Sequence, residues 1–92
     1  MEDALNSVLY EVQVDVFLRE GIADPEGSTI QHAAEALGLL RVSSLAAGRS
    51  FKVRLEAVSS DDARDQVLSL AGRLLANPVL QDFEVSRVRV VA

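Results

Sequence analysis

The chain has 92 residues, one domain's worth, with 49% hydrophobic, 25% charged and only 4% aromatic residues. That balance excludes disorder and implies a thin core of Val, Leu and Ala. Net charge of −5 and no cysteine argue against phosphate-backbone binding and exclude a disulfide frame or a thiolate metal site.

The first residues, MEDALNSVL, carry two acids and no basic start, so they do not read as a signal peptide. No apolar run is long enough to span a bilayer. Residues 1–9 read as an N-terminal extension, a candidate for disorder, ahead of a single domain over 10–92.

From Val8 to Leu18 apolar and polar residues alternate. Tyr10, Val12, Val14, Val16 and Leu18 share one face, and Glu11, Gln13 and Asp15 the other, which is a half-buried strand. The turn REGIADPEG follows. Ile30, Ala33, Ala34 and Leu37 then recur at helical spacing, from Asp24 or shortly after to Gly38, a residue suited to a left-handed helix end. A second strand is expected over about Arg41–Ala46, with Gly48 supplying a hairpin turn into a third over Phe51–Ala57.

SSDDARD opens a second helix, with Ser at its cap and acids in its first turn. Ala63, Val67, Leu70, Ala71, Leu74 and Leu75 form its apolar stripe, and Pro78 stops it. Phe83–Val91 is a Val-rich strand whose alternation slips between Val85 and Val88, marking a β-bulge. The order β-α-β-β-α-β predicts an α+β, ferredoxin-like fold: a four-stranded antiparallel sheet with both helices on one face. In that plan strands one and three are central neighbours, and Glu11 and Asp15 lie on the same open face as Lys52 and Arg54, where opposite charges stabilise the pairing by about 0.2–1 kcal/mol per pair.

Catalytic chemistry is poorly supplied. His32 sits off the centre of its helix's apolar stripe, and no serine lies in a nucleophile elbow. It reads as a surface histidine before a partner contact, and as either before a catalytic base. One His, with Glu35 the only nearby acid, is a poor metal site. GSTIQ has one Gly and no Lys-Ser/Thr ending, so it is no phosphate loop. Asp61-Asp62 are explained by helix capping, and Glu2-Asp3 by their place at the chain start. In DPEG, Asp24 can cap a helix, Pro25 fits its first position and Glu26 complements the dipole. No residue reads as catalytic, cofactor-binding or metal-ligating.

One resemblance goes further. YEVQVDVFLREGIADPEGSTIQHAAEALG resembles the start of the PurS family, the small subunit of phosphoribosylformylglycinamidine synthase. Val12, Val14, Val16, Arg19, Gly21, Asp24, Pro25, Gly27, Ile30 and Gly38 fall in the family's order. Gly48 and Phe51 match its hairpin, and Leu74, Leu75, Ala76, Asn77, Pro78, Val79 and Phe83 its C-terminal motif. The resemblance covers about residues 10–91. Ala23 departs from it, standing where a larger aliphatic is common, and the first nine residues extend beyond the usual start.

The resemblance implies a non-catalytic accessory subunit in purine biosynthesis, in a cytoplasmic complex that makes phosphoribosylformylglycinamidine from phosphoribosylformylglycinamide, glutamine and ATP. Its partners would be a second copy of itself, in a dimer or higher oligomer, a glutaminase with a Cys nucleophile, and a synthetase that uses ATP and Mg. The small subunit would bridge the two and assist ammonia transfer, with no cofactor and no contact with nucleic acid or membrane. Asp24, Pro25, Gly27, His32, Asn77 and Pro78 are the candidate structural or partner-contact residues. The alternative, from fold analogy alone, is a dimeric small-molecule sensing module.

Overall fold

The computed structural model describes residues 7–91, so the expectations for residues 1–6 lie outside the described residues. The elements are β1 (Val8–Leu18), α1 (Pro25–Ala36), β2 (Gly48–Ala57), α2 (Ser60–Leu70) continuing into a π-helical turn (Ala71–Leu75), and β3 (Gln81–Val90). The sheet has three strands in the order β2-β1-β3, with both pairings antiparallel.

β1 is the centre because its alternation is the most complete. Tyr10, Val12, Val14 and Val16 are all buried, while the residues between them are half-covered on the other face. Val12 lies between Val53 and Val88, and Val14 between Phe51 and Val85. α2 lays Ala63, Val67 and Ala71 against this face, and these residues with Tyr10, Val12, Val14 and Ala57 form the core. Phe83 closes over Gly72 in the π-helical turn, where an added Cβ would meet the ring at 3.5 Å. The expected bulge is present. The β1–β3 register shifts between Gln13 and Val14, which pair with Arg87 and Val85, so Ser86 is the extra residue.

Helix ends follow the sequence closely. The Ser59 hydroxyl accepts from the Asp62 N–H at 3.0 Å, and the Asp62 carboxylate accepts from the Val58 N–H at 3.2 Å. That settles Asp62 as a capping residue. α1 ends in a Schellman arrangement, with Gly38 N–H donating to Glu35 O, Leu39 N–H to Ala34 O, and Gly38 at φ +86°.

Two expectations fail, and the four-stranded plan with them. Residues 42–47 form no strand, and Gly48 makes no turn. Gly48 is instead the first residue of β2, opposite Phe17, where a Cβ would lie 2.8 Å from the Val16 carbonyl oxygen. Glycine is there for close backbone approach, so the chain does not reverse. Without a reversal, 42–47 cannot fold back beside β2 and runs on past the sheet.

α1 also misses the sheet face that α2 covers. None of its residues joins the core, and Gly27 is its only buried residue. Ile30 is 45% and Leu37 79% exposed. The helix and the returning segment make an arm, held by the Asp24 carboxylate at its base and by Gln31 Nε2 donating to Ser43 O at 3.2 Å. The radius of gyration is 17.3 Å. A compact chain of this length would have about 12 Å.

Candidate functional site

The two sequence motifs meet at the C-terminal end of β1. Asp24 caps α1: its Oδ1 accepts from Gly27 N–H at 2.9 Å, and its Oδ2 accepts from Ala47 N–H at 2.9 Å. These two backbone donors, Ala47 first, hold the Asp24 carboxyl below the ordinary aspartate value. Pro25 opens the helix, where its missing N–H costs nothing. Gly27 is buried because the chain at Leu45 crosses directly over it.

On the other side, Asn77 builds the turn into β3. Its carbonyl accepts from Leu80 and Gln81 N–H, its Oδ1 accepts from Val79 N–H at 3.0 Å, and its own N–H donates to Gln81 Oε1 at 2.8 Å. The Pro78 carbonyl accepts from Arg19 Nη2 at 3.0 Å, and Arg19 N–H donates to Leu80 O at 2.9 Å. Gln81, Asp24, Glu26, Val16 and Arg49 line one shallow pocket of about 170 Å³ at this end. So Asp24, Pro25, Gly27, Asn77 and Pro78 gather at one end of the sheet. His32 does not join them: it is exposed on α1, and among the described residues its side chain has no hydrogen-bond or ion-pair partner.

The open face of the sheet carries a second cluster. Glu11 receives Arg54 Nε at 3.2 Å on one oxygen and Arg89 Nε at 3.0 Å on the other, bridging all three strands. Arg89 and then Arg54 hold the Glu11 carboxyl below its ordinary value. Beside it, Gln13 Nε2 donates to Ser50 Oγ at 2.6 Å, and that hydroxyl donates to Asp15 Oδ1 at 2.7 Å. Opposite charges on the face of Glu11 were expected from alternation, and Arg54 supplies one. Asp15 takes Ser50 rather than a cation, and Arg89 was missed because its place opposite Glu11 is set by the register of two strands 78 residues apart in the chain.

Among the described residues no group of three or more His, Asp or Glu side chains converges as a metal site, and no helix is long and apolar enough to cross a membrane. The prominent features are surfaces: an arm with Ile30 and Leu37 exposed, two sheet edges that no other described strand pairs with, and a charged open face. Together they define a small α+β protein of the kind that works against other chains.

Comparison with known proteins gives this class its family. Residues 11–89 match the family model PurS, phosphoribosylformylglycinamidine (FGAM) synthase. The chain is 36% identical over 72 residues to the phosphoribosylformylglycinamidine synthase subunit PurS of Archaeoglobus fulgidus, covering 78% of this chain and 90% of that one. The Bacillus subtilis subunit is 33% identical over 84 residues, covering 91% and 99%. A chain in the structure of PurLQS from Thermotoga maritima superposes with a TM-score of 0.76 at 31% identity, covering 90% of this chain and 98% of that one. The chain belongs to the PurS family of phosphoribosylformylglycinamidine synthase subunits.

Proposed function

We propose that the chain is the accessory subunit of a phosphoribosylformylglycinamidine synthase, joining a glutaminase to an ATP- and Mg-using synthetase and assisting ammonia transfer between them. One observation carries this reading: its likeness to a chain of PurLQS extends over 98% of that chain. The reading places the complex in the cytoplasm and makes this chain a homodimer or higher oligomer. ATP, Mg and the reacting groups belong to the partners, and this chain contributes shape. Asp24, Pro25, Gly27, Asn77 and Pro78 shape a partner-facing end of the sheet, and His32, apart from them on the exposed side of α1, is a separate candidate contact.

Reconstitution tests it. Synthetase and glutaminase are assayed for glutamine-dependent ATP hydrolysis and product formation, with and without this chain. The expected result is that glutamine-dependent synthesis requires the chain, while synthesis from free ammonia does not. Equal glutamine-dependent rates and unchanged complex size in its absence would overturn the reading.

A further inference from the structure

The open face of the sheet uses one arrangement twice, with different results. On β1, Glu11 lies between Arg54 of β2 and Arg89 of β3, and Gln13, next on the same face, lies between Lys52 and Arg87. Each row places a cation on both outer strands. In the first row the centre is a carboxylate, and the two arginines cover it until it is only 11% exposed. In the second row the centre is an amide, which donates to Ser50 Oγ instead. Lys52 and Arg87 are exposed, and among the described residues neither side chain has an ion-pair or hydrogen-bond partner.

Two neighbouring rows, about 7 Å apart, therefore hold four cations and one carboxylate. This surplus is local, because the chain as a whole carries a net charge of −5. Acids border it, with Glu56 beyond the Glu11 row and Asp15 and Glu84 beyond the Gln13 row. The result is a cationic band with an acidic margin on either side.

We infer that this band docks a folded partner protein through carboxylates on the partner's surface, one of them seated over Gln13 between Lys52 and Arg87 as Glu11 is seated between its two arginines. Geometry supports the seat. The Lys52 and Arg87 Cα atoms lie about 10 Å apart across β1, the same separation that Arg54 and Arg89 bridge to reach Glu11 at 3.2 and 3.0 Å. Charge-assisted hydrogen bonds of that kind are the stronger ones and add register as well as energy. The acidic margins select the class of partner. They repel a polymer that is negative throughout, such as a nucleic acid, and favour a protein surface whose carboxylates form a patch. This inference deepens the subunit reading above and rests on it: the partner is the synthetase or the glutaminase.

Lys52 is the only lysine in the chain, so its amine can be traced. The chain is assembled with synthetase and glutaminase and treated with a water-soluble carbodiimide, which joins an amine to a carboxylate in contact with it. Mass spectrometry maps the joined peptides. The expected product links Lys52 to an Asp or Glu of a partner subunit, and Lys52→Arg, which keeps the charge, loses the link and keeps the assembly. Gln13→Glu adds a second readout, because it gives Lys52 and Arg87 a carboxylate within the chain. Its Tm is expected to be no lower than that of the unsubstituted chain, and its binding roughly tenfold weaker at low salt. That difference shrinks as salt rises. A merely structural row would not lose binding while holding Tm. Should Gln13→Glu lose stability, the carbodiimide product decides alone. In an assembly that forms, Lys52 left unlinked, or linked only to a second copy, overturns the inference and leaves the subunit reading standing. So does a folded Gln13→Glu that binds as tightly as the unsubstituted chain. Inorganic phosphate that raises Tm in the unsubstituted chain only, with Lys52 unlinked to partners, makes the row a small-anion site instead. If no assembly forms with either partner, the subunit reading falls and the inference with it.

Discussion

Asp24 and Ala47 are 23 residues apart, and one carboxylate oxygen accepting one backbone N–H at 2.9 Å ties the start of α1 to the start of β2. The other oxygen caps the helix through Gly27, so one side chain orders both ends of the arm. Asp24→Ala removes both bonds and is expected to lower Tm by roughly 5 °C. Asp24→Asn separates the two roles: its carbonyl can keep the Gly27 cap while its NH2 meets the Ala47 N–H, donor against donor. Hydrogen exchange should then show the Ala47 amide losing protection in both variants and α1 fraying only in Asp24→Ala.

Gly27 tests the same junction by bulk. A Cβ there would sit 2.5 Å from both the Asp24 carboxylate and the Leu45 carbonyl oxygen. The second is backbone and cannot swing away. Gly27→Ala should therefore cost about 1–3 kcal/mol by overpacking, despite alanine's better helix propensity. Thermal or urea denaturation reads this directly, with Gly72→Ala as the comparison, since there the added Cβ reaches only van der Waals distance from Phe83.

The contrast between these two glycines shows where sequence reading stops. β1, the caps at Asp24 and Ser59, the Schellman end at Gly38 and the bulge near Ser86 were all legible, because each is local chemistry within a few residues. Gly48 was not. A glycine between two apolar runs reads as a turn, yet here it lets β1 and β2 approach, and the letter is the same for both uses. The stripe Ile30, Ala33, Ala34, Leu37 announces a helix with an apolar face but not which surface covers it. At the site, DPEG and ANP lie some fifty residues apart, and spacing alone could not place them at one end of the sheet. Only family resemblance grouped them.

Acid should weaken the fold through Glu11 and Asp24. Both folded-state values lie below the ordinary 4.5 and 3.8 of the free groups. Their stabilisation is thus complete above those ordinary values and is lost as pH falls through the lower folded ones. Tm should be flat above about pH 5 and fall toward pH 3. Glu11→Gln should lower Tm at neutral pH and flatten the acid limb, because its loss has already occurred. An acid limb as steep as in the unsubstituted chain would place the sensitivity elsewhere.

His32 and Val67 should give opposite results. Val67 is fully buried in α2, in the core cluster with Tyr10, Val12, Val14 and Ala63. Val67→Ala should cost about 2 kcal/mol, combining lost transfer energy with a cavity. His32 is exposed, and its side chain has no polar partner among the described residues. His32→Ala should leave Tm unchanged and reconstituted glutamine-dependent synthesis near that of the unsubstituted chain. If His32→Ala instead abolished synthesis while the protein stayed folded and bound to its partners, the histidine would have a chemical role after all. If it lost synthesis only together with binding, measured by co-purification, the exposed side of α1 would be a partner contact. The two assays on one variant separate a reacting group from a docking one.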